Sequence, residues 1–464
     1  MVLSENKPFS KVLIVGAGFS GLATACQLRR EHNCDDYVIY DRSPAPGGTW
    51  WANKYPGCAV DIPAVFYSLS FAPNPDFSKI YPPQAEILEY FNKVADKFDV
   101  SRHIVRNTEW EGAYWQDSTN SWLVKLKDLS TGQTFYHECK ILISAVGALV
   151  NPNQFGIPGV ETFEGDIVHT AAWKADLSLH EKDVIVVGNG CEFSFLSLSL
   201  SLSLSPLRSF RQQLISITQF IRRRIFDNSR YTSCLQQSNI HLTDDPIVKV
   251  SSHSIFTKSG QEYRADAILL ATGFALTQYE VDLVGRNGRT RDEHWGNFGY
   301  KEAYKSTAMS GFPNFFYVLG PNSGKGHTSA IYCIENYVNL VMKVIAPVLR
   351  DRASFVEVKS DSEKEYNENL HEKIATTIFN SSCGSYFIDY KSQKNWFIYP
   401  WNSFVMWYST HWGRSDDWTY DDRPHQNYRL FSFGHLLLLL ALSIIPISFK
   451  VSMTVSEKLQ YTTR

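Results

Sequence analysis

The sequence predicts an α/β fold built on two dinucleotide-binding, Rossmann-like domains. Three observations carry this. An apolar strand, Lys11 to Val15, runs straight into Gly16-Ala17-Gly18-Phe19-Ser20-Gly21 and a helix-like stretch to Arg30. A second apolar strand, Asp183 to Val187, runs into Gly188-Asn189-Gly190. Later strands again end in glycine turns, Gln261 to Leu270 in Ala271-Thr272-Gly273 and Asn314 to Leu319 in Gly320-Pro321-Asn322, the latter before a helix-like Ser329 to Val344. Strands that alternate with helices and end in such turns read as parallel-sheet units.

The N-terminal unit is complete. Its next strand is Tyr37 to Tyr40, and Asp41 closes it. Gly16 makes the tight turn, Gly18 admits a pyrophosphate, and Gly21 lets helix and strand touch. The helix start offers amide donors and partial positive charge to phosphate. Asp41 stands where a ribose-binding acid is expected, and an acid there suits a cofactor without a 2′-phosphate.

Composition sets the bounds. The chain has 464 residues, 44% hydrophobic and 20% charged, enough for roughly two or three domains. Forty-five Lys and Arg against 47 Asp and Glu leave a net charge of -2, which gives no footprint for nucleic acid. The 8 cysteines include no CxxC pair. That argues against a metal site of the zinc type and against a disulfide framework, and favours reduced thiols in a cytoplasmic setting. Met1 to Ser10 is polar and carries no secretory signal. At the other end, Phe431 to Phe449 is strongly apolar around Leu436 to Leu440, close to the ~17–25 residues of a spanning helix. His435, Pro446 and three serines interrupt it. A span, a surface-lying anchor and a buried helix all fit. The expected division is 1–150 and 271–430 for the first nucleotide domain and the C-terminal segment, 151–270 for the second, and 431–464 for the tail.

The most specific segment is Gly47-Gly48-Thr49-Trp50-Trp51-Ala52-Asn53-Lys54-Tyr55-Pro56-Gly57-Cys58-Ala59-Val60-Asp61. Its glycines let backbone approach a flat cofactor, its proline fixes a turn, and its aspartate delivers a carboxylate. The alternative is an aromatic-rich surface loop. With these spacings the segment resembles the active-site stretch of Baeyer–Villiger monooxygenases, a family of two-dinucleotide flavoproteins. Phe163-Glu164-Gly165-Asp166-Ile167-Val168-His169-Thr170-Ala171-Ala172-Trp173 matches that family's linker, FxGxxxHxxxW, and Lys174 departs from the Pro or Asp that usually follows. Phe163, Gly165, His169 and Trp173 are then expected at the hinge between the domains; His169 alone would be an ordinary structural histidine.

The resemblance, over about residues 8 to 425, implies FAD held by Gly16, Gly18, Gly21, Asp41, Gly48, Thr49, Trp50, Tyr55, Asp61 and Asn322, and a cofactor contact at Ala271, Thr272 and Gly273, where the chain passes back between the domains. It implies NADPH held by Gly188, Gly190 and Arg222. It also implies an aromatic C-terminal segment, Trp396 to Trp418, beside the substrate entrance; a tryptophan-rich core flap fits equally. Arg223, just before Arg224-Ile225-Phe226-Asp227, matches the catalytic arginine, with Asp61 as its partner. A solvated basic turn is the plain alternative for Arg222 to Arg224.

Two departures stand in the middle. Phe193 occupies the third small-residue position of the second unit, and Ser197 to Ser205 alternates Leu and Ser with period two, a strand pattern and not a helix. A misread non-coding stretch, an insertion and a genuine edge strand are the three readings. The strand Leu214 to Arg222 then joins Arg223 directly, where the family has a long helical stretch.

The implied activity is insertion of one oxygen atom of O2 next to a ketone carbonyl through a flavin C4a-peroxide, giving an ester or lactone, with NADPH as reductant. Two rivals remain. One is a flavin-containing monooxygenase acting on nitrogen or sulfur, against which the segment 47–61 speaks. The other is an FAD-binding protein impaired by its altered NADPH domain.

Overall fold

The structure, a computed structural model, describes residues 7–188, 240–275, 279–325, 328–377, 379, 387–389 and 392–421, and 212–215 by backbone.

Strand β1 (Phe9–Val15) leads through helix α1 (Phe19–His32) to β2 (Tyr37–Tyr40). Val12, Leu13 and Ile14 are fully buried, as a central parallel strand covered on both faces requires. Every residue of α1 from Phe19 to Cys26 is buried, so its first two turns are covered on all sides, and Gly21, Ala23 and Ala25 leave room for close neighbours. The helix ends at Asn33, in the left-handed region at φ 49°, behind Arg29, Arg30 and His32, whose charge suits a helix C-terminus. A single turn, α2 (Thr49–Ala52), and α3 (Gln84–Lys97) follow. Next come β3 (Ile104–Val105), beside β2, and an antiparallel meander of β4 (Thr108–Gln116), β5 (Ser121–Asp128) and β6 (Thr134–Ser144). Strand β6 returns parallel to β1. The meander has no counterpart in the sequence reading.

Short β7 (Asn151–Pro152) leads to a second, parallel sheet containing β8 (Asp166–His169), β9 (Val184–Val187), β10 (Gln212–Ile215) and β11 (Ile240–Thr243). Strands β12 (Ile247–Val250), β13 (Ser254–Thr257) and β14 (Glu262–Arg264) form an antiparallel flap, and β15 (Ala267–Leu270) rejoins the parallel sheet between β9 and β8. The expected strand 261–270 is therefore two strands in two sheets. Asp266 breaks it: its amide donates to Asp183 O (2.7 Å), and its carboxylate accepts from the Asp183 amide (2.8 Å). Residues 240–250 likewise hold two strands, β11 and β12.

The chain then goes home. Strand β16 (Phe274–Ala275) pairs with β7, β17 (Asp282–Val284) with β4 and β18 (Phe315–Tyr317) with β6. Helix α4 (Arg291–Phe298) is fixed by a Thr290/Glu293 capping box. Helix α5 (Ala330–Leu349), which ends five residues later than the sequence suggested, packs along α1. Finally β19 (Val356–Val358), α6 (Ser360–Ala375), α7 (Ser403–His411) and β20 (Trp418–Tyr420) close the described chain, with β19 and β20 paired.

Among the described residues, α5 is the one helix long and apolar enough to cross a membrane. Its Ile331, Ile334, Val338, Val341, Met342 and Ile345 are buried in the core shared with α1, which accounts for its composition. The apolar run 431–449 lies outside the described residues.

One buried histidine makes the first sheet pH-sensitive. His137, 4% exposed, is held between Tyr40 Oη (2.9 Å) and Ser10 Oγ (3.0 Å). Burial lowers its pKa from 6.5 to about 4. The unfolded chain takes up a proton first, so this stabilisation is complete above pH 6.5 and is lost as pH falls towards 4. The loss is at most ~3 kcal/mol. Thermal melts from pH 7.5 to 4.5 are expected to show Tm falling below pH 6.5, with a shallower slope for His137→Gln.

Candidate active site

Two backbone turns meet at the C-terminal end of β1. Gly16 sits at φ 106°, and a Cβ there would lie 2.5 Å from Ala145 O. A Cβ on Gly21 would lie 2.0 Å from Gly16 O, so helix and turn touch as the fingerprint predicts. Gly18 is different: its Cβ would meet only Gly48, at 3.5 Å, while a Cβ on Gly48 would lie 2.9 Å from Gly18 Cα. The Gly47 amide donates to Ala17 O at 2.9 Å. The segment beginning at Gly47 is thus folded backbone-to-backbone onto the glycine-rich turn.

No side chain caps α1, and its first turn holds no acid, which leaves its start suited to an anion. The Asp41 carboxylate is 9% exposed and accepts from the amides of Ala17 (2.6 Å) and Ser43 (2.7 Å). It braces the glycine-rich turn, a duty that its spacing did not announce.

Within the 47–61 segment, Thr49 opens α2 and its carbonyl accepts from the Asn53 side chain at 2.9 Å. Trp50 is buried, and its indole N–H donates to Tyr67 Oη at 3.0 Å. The Lys54 ammonium lies 4.3 Å over the Trp51 ring. Buried Tyr55 starts the turn that Gly57 completes, closed by the Cys58 amide donating to Tyr55 O. Asp61 is half-buried. Burial pushes the Tyr67 hydroxyl well above its ordinary range, the Trp50 N–H pulls it back, and the Asp61 charge pushes it further up. Trp50 and Tyr67 therefore form one corner, and the Asp61 charge acts on it. Tyr67 lies past the end of the motif, so nothing in the spacing pointed to it.

The second unit repeats the first. Gly188 has φ 114°, and its Cβ would lie 2.2 Å from Ala271 O, just as Gly16 meets Ala145. Gly147 and Gly273 follow at φ 75° and 74°. Ala145-Val146-Gly147 is therefore the counterpart of Ala271-Thr272-Gly273. The repeated Ala-x-Gly after an apolar strand was the overlooked signal.

The linker residues meet this second turn. His169 Nδ1 accepts from the Ala171 amide (3.1 Å), so Nε2 carries the proton and donates to Gly273 O (3.0 Å). Desolvation lowers the His169 pKa, and the Gly273 carbonyl partly offsets that. Asn153 adds a second tie, with its amide to Gly273 O (3.0 Å) and its side chain to Thr272 O (2.8 Å). A Cβ on Gly165 would meet Asp266 O at 2.3 Å and the Phe163 ring at 2.7 Å. Trp173 packs on the main core. Lys174, the departure from the family pattern, pairs with Asp166 at 3.0 Å inside the same motif.

Residues 10–281 match the family model for pyridine nucleotide-disulphide oxidoreductases. The chain belongs to this family. Its relatives within it are flavoprotein monooxygenases. An FAD-binding monooxygenase of Botryotinia fuckeliana is 39% identical over 413 residues, 70% of this chain and 77% of the relative. A Baeyer–Villiger monooxygenase of Pseudomonas aeruginosa is 28% identical over 472 residues, 84% and 87% of the two chains. In fold, the chain is similar to cyclohexanone monooxygenase from Rhodococcus sp. Phi1 bound to NADP+, with a TM-score of 0.80 at 21% identity, covering 90% of this chain and 100% of that one.

In this flavoprotein, the described residues of the first unit fit an FAD pyrophosphate: among them only Gly48 comes within 4 Å of a Cβ built on Gly18, beside an uncapped helix start. In the second unit the Gly188 turn fits a dinucleotide, and the Thr272 hydroxyl beside it is buried without a partner among the described residues. Gly190, Phe193, the run 197–205, Arg222 and Arg223 lie outside the described residues, as does the junction between the last two.

Asn322 is placed by other ties than a cofactor. It is 2% exposed, and its side-chain amide donates to Asn395 O (2.9 Å) and Ile398 O (3.2 Å), leaving Oδ1 buried without a partner among the described residues. Helix α5 is capped by its own Ser329, whose hydroxyl accepts from Ile331. The tryptophans divide. Trp396 and Trp418 are core residues at 2% and 6% exposure, while Trp401, Trp407 and Trp412 are half-buried around α7.

Proposed function

We propose that this protein is an FAD- and NADPH-dependent monooxygenase that inserts one atom of O2 next to a ketone carbonyl, giving an ester or lactone. The observation that carries the reading is the packing of Gly47 and Gly48, which open the 47–61 segment, onto the glycine-rich turn. The names of the relatives support it.

Bound FAD supplies the redox and oxygen-activating chemistry, with NADPH as reductant. The chain's own residues do the rest. The amides at the start of α1 hold the pyrophosphate, with Asp41 fixing the turn that presents them. Gly48 and Thr49 let backbone lie against the cofactor, and Trp50 and Tyr55 wall the site from water. Asp61 orients Arg223, whose charge stabilises the oxyanion that develops on the ketone oxygen. Ala271 to Gly273, Gly188, Gly190 and Arg222 hold NADPH, and His169 ties the linker to that turn. Asn322 acts from behind, by fixing residues 395–398.

Offering the purified enzyme a cyclic ketone and a thioether tests this. Lactone is expected as the main product. Sulfoxide alone would instead support a flavin-containing monooxygenase acting on sulfur or nitrogen.

The sequence of the second unit favours weak coenzyme handling, because Phe193 stands where helix and strand should touch. Anaerobic NADPH is expected to bleach the flavin only at high concentration, with an apparent Kd at least ~10-fold above that of a variant with a short helix-forming segment in place of 192–206. Tight binding by the unaltered chain would contradict this. For the apolar run 431–449, fractionation decides: a membrane contact requires the full chain to sediment with membranes and a chain ending at Arg429 to stay soluble.

A further inference from the structure

Away from the nucleotide turns, three ionisable side chains meet in the interior. His294 of α4, Glu302 of the loop after it and Glu363 in the first turns of α6 are each 0% exposed, and a donor atom of each lies within 4.8 Å of the others. His294 Nε2 is 3.0 Å from Glu363 Oε1, and Glu363 Oε2 accepts from the Ser310 amide at 2.8 Å. Both Glu302 oxygens, His294 Nδ1 and the Ser310 hydroxyl are buried with no hydrogen-bond partner among the described residues.

Two carboxylates in one dry pocket need positive charge. Arg289, half-buried, pulls on Glu302 from outside, but Glu363 and Glu368 push the other way. A proton is one remedy, since burial, with Glu363, pushes the Glu302 carboxyl up to about 9. It cancels the charge yet leaves most of the ~four acceptor sites of Glu302 unmet. A divalent cation meets both needs. Tetrahedral zinc bonds of ~2.0–2.2 Å set neighbouring donors ~3.3–3.6 Å apart, so the His294–Glu363 edge, at 3.0 Å, opens by a few tenths of an ångström, roughly. Glu302 closes by up to ~1.5 Å. One imidazole with carboxylate oxygens suits zinc or manganese, whereas calcium and magnesium favour all-oxygen sets. The lack of CxxC pairs excludes only thiolate sites.

We propose that His294, Glu302 and Glu363 form a buried structural site for a divalent transition-metal ion, zinc foremost, with Ser310 as an added oxygen donor. The ion ties α4, the 299–303 loop and α6 together just ahead of β18, which returns the chain to the first sheet. This does not rest on the oxygenation chemistry.

The test is elemental analysis of the purified holoprotein, prepared without chelators. About one zinc or manganese per chain is expected, falling at least ~10-fold in Glu302→Gln with flavin content unchanged. Stripping the wild type with a chelator should lower its Tm by several degrees, roughly, and zinc alone or manganese alone should restore it. The stripping arm needs no variant, so it decides even if Glu302→Gln fails to fold. Less than ~0.1 ion per chain, with a Tm indifferent to chelator, zinc and manganese, would overturn the proposal and leave Glu302 holding a proton. Metal retained in full by Glu302→Gln would overturn it equally.

Discussion

Gly18→Val is expected to give a folded, colourless protein. A Cβ at Gly18 has 3.5 Å to its nearest neighbour, Gly48 Cα, so the chain can tolerate a side chain there with little backbone movement. The space it fills is the pyrophosphate's. Flavin affinity should fall by two orders of magnitude or more, ~3 kcal/mol or above. Gly21→Val is the contrast: its Cβ would lie 2.0 Å from Gly16 O, so helix and turn must separate and the first domain should fail to fold. Absorbance of purified flavin and circular dichroism, measured on both variants, separate the two effects. Full yellow colour in Gly18→Val would remove the cofactor from this turn.

Asp61→Ala should uncouple the enzyme. The flavin should still be reduced by NADPH within ~3-fold of the parent rate, because the role proposed for Asp61 is in oxygenation and not in holding NADPH. Product per NADPH consumed should drop at least ~100-fold, with the electrons leaving as hydrogen peroxide, since the carboxylate no longer orients the cation that meets the developing oxyanion. Arg223→Ala should give the same pattern. Equal ester yield from either variant would refute the roles given to this pair. Tyr67→Phe should matter less, as it removes one hydrogen bond to Trp50 and leaves the ring that packs against it.

Local signals carried the fold well where a residue type had one physical reason to be there. Gly16, Gly21 and Gly188 are glycines because backbone passes within contact of their missing Cβ, and the turn spacing alone announces that. His169 was legible only as part of a motif; its bond to Gly273, 104 residues away, was not. The meander 108–144 went unread because its strands have no punctuating fingerprint. The broken strand at Asp266 depends on Asp183 across the sheet, a tertiary contact that periodicity cannot register. Tyr67 and the His294–Glu302–Glu363 cluster share that property: each joins segments that only folding brings together. Conversely, Lys174 looked anomalous in sequence because it replaces the Pro or Asp of the family pattern, and folding gives it a partner, Asp166, eight residues earlier in the same linker.

The most direct measurement of the central claim is the fate of isotopic oxygen. The purified enzyme, NADPH and a cyclic ketone are incubated under 18O2, and the product is read by mass spectrometry. The account predicts a lactone carrying one 18O atom, in the ring position beside the former carbonyl. NADPH consumption with unchanged ketone and only labelled hydrogen peroxide, or a lactone without label, would contradict it.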